Sequence, residues 1–509
     1  MPGPRARDRT HPNDGADALK AVPLPDLIEI VPLDKPVRAD ITVPGSKSIT
    51  NRALVLAALA DGETILEGAL WSEDTQIMVE CLQELGFMVN VADDPQEGGN
   101  RTITVYGKGG VVPRGGTEQQ PLELFVGNAG TAARFLSALV CLGQGVYRLH
   151  GVPRMHERPQ AALFAALREL GYEVESENKN EKLPAKISTA GPSSGVQPRL
   201  ATGAPHSARF PRSCSVSIEQ SSQFASALLL CAEAGNWRVE VLGENAEESP
   251  YVRLTTQLIK AFPRTGGAFQ IEPDASSGSY FLAAGELLPE LERLEWSERF
   301  GMQVPTVHLN AVRVAHWPKS GWQVDERFGE AVLLTMPLHL GLSLARGAGH
   351  NAIPEGVLER IGEGVISRAR DLGDSIMTAI VLAPFSALPV RFSDLGRLRL
   401  QECERVAALR TELTKCGAKV IEEGDALTVS PSTLHGAEIE TYNDHRMAMC
   451  FAILGLKVPG IKLNNPSCVK KTFPSFFQKL AAQPPGGLGA RILDGKSGRL
   501  LNHAELFAE

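Results

Sequence analysis

One pattern returns six times along this chain and narrows what it can fold into. A short loop of Gly, Ser, Asn, Asp or Pro runs straight into an apolar stretch rich in Ala and Leu. The first three junctions are Pro44-Gly45-Ser46-Lys47-Ser48 before Ala53 to Ala57, Gly127-Asn128-Ala129-Gly130-Thr131 before Phe135 to Leu139, and Ser221-Ser222-Gln223 before Ala225 to Leu230. The others are Asp274-Ala275-Ser276-Ser277 before Tyr280 to Ala284, Asp371-Leu372-Gly373-Asp374 before Met377 to Leu382, and Asn443-Asp444-His445 before Met447 to Leu456. Stretches apolar on nearly every side predict buried helices, and the small polar residues before them are preferred N-cap types. Between them lie alternating strand-like runs such as Arg101 to Tyr106, and amphipathic helical patterns at Thr75 to Leu85 and Arg405 to Lys415. The reading is an α/β chain built from a repeated βα unit.

Helix N-termini with free backbone N–H groups suit anions; loop chemistry alone leaves open whether these six converge. Cations crowd the same junctions: Lys47, Arg52, Arg134, Arg154, Arg158, Arg405, Arg446, Lys470 and Lys471. Each alone reads as a solvated surface charge; at loop–helix junctions, guanidinium forks suit carboxylate and phosphate. Asp374, Glu402 and Asp444 accompany them, either for charge balance or to move protons.

Composition excludes several classes. With a net charge of −8 and a pI near 5.9, the chain is not a general nucleic-acid binder. No apolar run approaches the ~20 residues that span a bilayer, so no membrane partner is expected. The polar stretch Met1 to Lys20 lacks the apolar core of a signal peptide. The eight cysteines form no CxxC pair and no metal-type cluster, which fits reduced thiols in a cytoplasmic protein with no metal. Residues 1–27 and 485–509 read as mobile or loosely docked extensions.

Seven stretches, in order, resemble the 5-enolpyruvylshikimate-3-phosphate synthase family: Pro44 to Arg52, Gly127 to Arg134, Pro153-Arg154-Met155-His156-Glu157-Arg158-Pro159, Ser221 to Phe224, Asp274 to Ser277, Thr441 to Cys450, and Lys471-Thr472-Phe473-Pro474. The resemblance covers about residues 28–483. It implies two similar domains, each of three βαβαββ-type repeats around buried parallel helices (an inside-out α/β barrel), with the active site in the interdomain cleft. One domain is expected at 46–271, the other at 28–45 with 272–484. The activity implied is enolpyruvyl transfer from phosphoenolpyruvate to a hydroxyl of a phosphorylated acceptor, with no cofactor. Residue by residue, the resemblance assigns Lys47, Asn128, Gly130, Arg154, Arg405, Arg446 and Lys471 to phosphoenolpyruvate. It assigns Ser48, Arg52, Ser221, Ser222, Gln223, Asp374, Arg397 and Gln401 to the acceptor. Lys47, Asp374 and Glu402 are the catalytic set, with Asp374 beside the attacking hydroxyl and Glu402 protonating the methylene carbon. A sister family acting on UDP-N-acetylglucosamine carries a cysteine in its mobile loop; Val152 to Arg158 has none.

Three acceptor positions depart from the shikimate-specific pattern. Gln401 stands for a lysine, Arg397 for an asparagine, and Glu248 for a phosphate-binding serine. The chain is also longer than most members between Asp274 and Asp374. These departures point to UMP as acceptor, as in nikkomycin-type enolpyruvyl transferases, with shikimate 3-phosphate as the alternative and a non-catalytic binding protein as a third reading.

Overall fold

The computed structural model describes residues 23–189, 211–243, 249–288, 290–292, 307–309, 312–335, 364–386 and 388–508. Glu248, residues 1–22 and much of the longer stretch before Asp374 lie outside them.

All six junctions open helices, and those helices form the centre of the molecule. Lys47–Leu59, Gly130–Leu139 and Ser222–Gly235 pack on one another. So do Ala275–Leu287, Ile376–Leu382 and His445–Gly455. Each trio is sheathed by sheets, so that hydrophobic residues fill every side of the helices. The result is two separate cores. One gathers residues from Ile49 to Ile271; the other joins Leu24 to Val43 with Tyr280 to Ala508.

The sheets repeat one plan. In the first core, Gly267–Gln270 runs parallel to Glu63–Leu70, which pairs antiparallel with Asn100–Tyr106, and that with Met88–Asp93. Leu122–Phe125, Val146–His150, Ala185–Ser188 and Glu173–Ser176 follow the same parallel–antiparallel–antiparallel order. In the second core so do Val365–Ser367, Val390–Ser393, Ala426–Ser430 and Lys419–Glu423. The parallel pairs Arg212–Ser217 with Trp237–Leu242, and Val312–Val314 with Ala39–Ile41, stand at the corresponding places of two further units.

The last sheet corrects an expectation. Residues 485–508 are no loose extension. Arg491–Asp494 pairs antiparallel with Leu27–Val31, completing the order begun by Glu438–Glu440 and Ile461–Asn464. Leu488, Ile492, Leu501 and Leu506 are buried in the second core, and Arg499 pairs with Glu505 at 2.7 Å. The apolar spacing of this segment is too short to announce a strand without its distant partner.

The chain passes between the cores twice, and the passages are joined. Ser46 N donates to Glu272 O and Asp274 N to Pro44 O, both at 2.8 Å. Gly45 sits where a Cβ would lie 2.0 Å from Gly68 O, so no larger residue fits. Beside them Lys479 Nζ bridges Glu97 Oε2 at 2.8 Å and Thr42 Oγ1 at 2.9 Å, tying the second core to the first.

The helix starts differ in a way the residue types alone do not reveal. Ser221, Asp274 and Asp444 cap their helices through side-chain oxygens. Ser46 and Ala129 make no side-chain cap bond, and both helices open onto the cleft between the cores.

Candidate active site

Both cores contribute to one pocket. From the first come Ser46, Lys47, Ser48, Arg52, Asp74, Gly130, Thr131, Arg158, Ser221, Ser222, Gln223 and Tyr251. From the second come Asp274, Asp325, Arg368, Asp374, Arg397, Gln401, Glu402, His445, Arg446 and Lys471. Segments more than 400 residues apart in sequence therefore share a wall, because each helix trio presents its N-terminal ends to the other.

On the first core's side, Arg52 is fixed before any ligand arrives. Its Nε meets Thr255 Oγ1 at 2.8 Å, Nη2 meets Ser226 Oγ at 3.0 Å, and its guanidinium lies 5.3 Å from the Phe135 ring centre. Burial lowers its pKa to about 10, with Tyr251 acting the other way, so it stays a cation at neutral pH. Gln223 is held likewise: its Oε1 accepts from Arg134 Nη1 at 3.1 Å and its Nε2 donates to Thr131 Oγ1 at 3.2 Å. Lys47 Nζ lies 3.2 Å from Asp74 Oδ2.

On the second core's side, Arg405 is completely buried and binds three carboxylates. Its Nε meets Asp444 Oδ2 at 2.7 Å, Nη2 meets Glu402 Oε2 at 2.8 Å, and Nη1 lies 3.6 Å from Asp374 Oδ2. Asp374 also faces Arg368 Nη2 at 3.0 Å and Arg446 Nε at 3.4 Å. Glu402 also faces Lys471 Nζ at 3.2 Å. Burial pushes both acids towards the neutral form, but the cations outweigh it. Arg446, Arg368 and Arg405 hold Asp374 far below the ordinary carboxyl range, and Arg405 and Lys471 do the same to Glu402. His445, with both ring nitrogens buried and without a hydrogen bond, is pushed by burial and the neighbouring cations well below its usual pKa; it is neutral at pH 7.

Three assigned residues lie elsewhere than expected. Arg405 stands behind the pocket wall, reaching it through Glu402 and Asp374. Asn128 is also behind the wall, its backbone O accepting from Arg158 Nη1 at 3.2 Å. Arg154 is turned away, half exposed and paired with Glu157; Arg158 fills the pocket instead. The cause is local geometry. Pro153–Glu157 is a 3₁₀ turn, in which residues three apart eclipse, so Arg154 stacks on Glu157. Arg158, extended after the turn, points back over Gly130. A Cβ on Gly130 would lie 2.5 Å from Arg134 Nη1 and 2.6 Å from Arg158 Nη1.

Asp74, Arg368, His445, Trp322 and Asp325 were not picked out by sequence reasoning as binding or catalytic groups. His445 had a signal, lying inside a recognised motif. Trp322 and Asp325 had none, lying outside every recognised motif; the fold brings them into the pocket lining, where Asp325 accepts from Ser276 Oγ at 2.6 Å and from Ser375 N at 2.9 Å.

The family model for EPSP synthase (3-phosphoshikimate 1-carboxyvinyltransferase) matches residues 32–265 and 309–480. The chain belongs to the EPSP synthase family. It is an enolpyruvyl transferase. A 3-phosphoshikimate 1-carboxyvinyltransferase of Nostoc sp. (strain PCC 7120) is 36% identical over 476 residues, covering 89% of this chain and 98% of the relative. One from Opitutus terrae is 34% identical over 90% of this chain and 98% of the relative. Among solved structures, EPSP synthase from Acinetobacter baumannii superposes with a TM-score of 0.60 at 18% identity, over 92% of this chain and 99% of that one. The enolpyruvyl transferase NikO from Streptomyces tendae gives 0.54 at 15% identity, over 92% and 98%. At these identities the two structures establish the shared fold, that of the EPSP synthases. Among the described residues no helix is long and apolar enough to cross a membrane.

Proposed function

We propose that this EPSP synthase family member transfers the enolpyruvyl group of phosphoenolpyruvate to a hydroxyl of shikimate 3-phosphate, releasing phosphate. The observation that carries the reading is the placement of two ionised carboxylates, Asp374 and Glu402, on either side of one buried guanidinium, within a ring of cations drawn from both cores. Curated relatives covering nearly the whole chain carry the 3-phosphoshikimate name, which ranks that acceptor above UMP and reverses the order drawn from Arg397, Gln401 and Glu248. Gln401 Oε1 is taken up by Arg405, so it supports Arg405. The proposed domains are 46–271, and 28–45 with 272–484, the second extended to take in Leu24 and residues 485–508, on the strength of the two separate cores.

In this reading Lys47, Gly130, Arg158, Arg446 and Lys471 hold phosphoenolpyruvate, and Ser48, Arg52, Ser221, Ser222, Gln223 and Arg397 hold the acceptor. Asp374 takes the hydroxyl proton as the oxygen adds to C2. Glu402 gives a proton to C3, then takes one back as phosphate leaves. Glu402 must be protonated for its first task, yet Arg405 and Lys471 keep it ionised. Phosphoenolpyruvate supplies the correction: its negative charges engage Lys471, and burial then raises the Glu402 pKa towards neutrality.

The test is phosphate release from phosphoenolpyruvate with shikimate 3-phosphate and with UMP offered separately. Turnover with the first and none with the second is the expected result. Release with UMP alone overturns the acceptor; release with neither overturns the reading.

Three binding predictions arise from the same geometry. Arg158→Ala is expected to weaken phosphoenolpyruvate by ~10- to 100-fold, the loss of one charge-assisted contact. Arg154→Ala is expected to change it less than ~3-fold, because an exposed ion pair contributes little. Equal losses in titration calorimetry would return Arg154 to the pocket. Gly130→Ala should fold normally, since the atoms it meets are the far ends of two arginines. It should still weaken phosphoenolpyruvate by at least ~10-fold, because those guanidinium groups are displaced; unchanged affinity would show that they are not ligands.

A further inference from the structure

Resting on that reading, we infer that Arg368 is a positioning residue for Asp374, keeping it ionised and aimed while Arg446 serves phosphoenolpyruvate. The two oxygens of Asp374 face different partners. Oδ1 meets Arg368 Nη2 at 3.0 Å, whereas Oδ2 faces Arg446 Nε at 3.4 Å and Arg405 Nη1 at 3.6 Å. Arg405 is divided among Asp374, Glu402 and Asp444, and Arg446 belongs to the proposed phosphoenolpyruvate set. Once that ligand binds, Arg446 is drawn to its charges, and Arg405 stays divided among three acids. Arg368 meets Asp374 at 3.0 Å, whereas the cations that meet Glu402 are Arg405 at 2.8 Å and Lys471 at 3.2 Å. It therefore serves the acceptor-side base, while the acid at C3 has cations of its own.

The loop is built to hold this pair. Arg368 is 3% exposed, and its backbone N donates to Ser393 O at 3.1 Å, anchoring it to the neighbouring strand. Ser367 N donates to Asp371 Oδ2 at 2.9 Å, Arg370 N to Ser367 Oγ at 3.1 Å, and Asp371 N to Ser367 O at 2.9 Å. Arg368 and Asp374 thus leave one tightly turned segment six residues apart. Tyr251, from the helix Ser249–Ala261, and Asp325, whose Oδ1 accepts from Ser375 N, also stand near Asp374. Neither supplies a positive charge, and among the described residues Arg368 is the cation placed on Oδ1.

The experiment compares the full-length wild type with Arg368→Met, Arg368→Lys, Asp374→Asn and the double variant Arg368→Met/Asp374→Asn. Phosphoenolpyruvate binding is measured by calorimetry and turnover with shikimate 3-phosphate. Arg368→Met should lower kcat by ~30-fold or more with the phosphoenolpyruvate Kd within ~3-fold of wild type, and Arg368→Lys should recover part of the loss. In the Asp374→Asn background the same change should cost less than ~3-fold, because coupled residues are not additive. An Arg368→Met enzyme with near-normal kcat overturns the inference. So does one that loses phosphoenolpyruvate binding, or a full loss repeated in the Asp374→Asn background, since either marks a structural role. An idle wild type counts against the functional reading itself, which separates the two failures.

Discussion

Glu402→Gln and Asp374→Asn are each expected to lower kcat by ~10²-fold or more while phosphoenolpyruvate still binds, the usual size of a lost general acid or base. Both substitutions keep the side-chain shape and one accepting oxygen, while the other oxygen becomes an NH2 donor that gives up its contact with a neighbouring cation. What disappears is the ability to carry a proton. Each also removes a negative charge from beside Lys471, Arg405 or Arg446, so affinity for an anionic ligand should hold or rise. That combination of slow turnover and undiminished binding separates a proton carrier from a structural acid. The two variants should differ in deuterated water: Glu402→Gln should suppress exchange of the C3 hydrogens of phosphoenolpyruvate, whereas Asp374→Asn should act on the addition step. Near-normal turnover in either variant removes that residue from the mechanism.

Arg405→Met is expected to destabilise the protein by about 3–5 kcal/mol at pH 7, as when one partner of a buried ion pair is removed. Arg405 is fully buried, and so is Asp444, which it meets at 2.7 Å. Methionine fills much of the volume but leaves these acids without their shared cation. The pH dependence follows from the direction of the shifts. Asp374 and Glu402 have depressed pKa values in the native state, so their contribution to stability is present above ~4, the unfolded carboxyl range. It is lost as the pH falls through their native values. In Arg405→Met the depression shrinks and burial raises both pKa values. The gap between wild type and variant should be widest at neutral pH and should narrow below about pH 4, where the acids take up protons. Denaturant melts at a series of pH values measure this; a gap independent of pH would mean that lost packing, not charge, is responsible.

The sequence by itself determined the local half of this protein. A run of Ala and Leu after a polar loop must bury itself, and six such runs became the two helix trios. The residue types that bind anions or carry protons were legible at the same junctions: Lys47, Gly130, Asp374, Glu402, Arg446 and Lys471 all line the one pocket. Tertiary structure decided what depends on partners far along the chain. Arg491–Asp494 is a strand only because Leu27–Val31 offers an edge some 460 residues earlier. Arg154 and Arg158 are the same residue type four positions apart, and a 3₁₀ turn sends one to solvent and the other to the pocket. Arg368 shows no motif at all; its role comes from a loop that folds its guanidinium onto Asp374. Periodicity and residue chemistry are written in neighbours along the chain, whereas which charge faces which is fixed only when the two cores close around a common cleft.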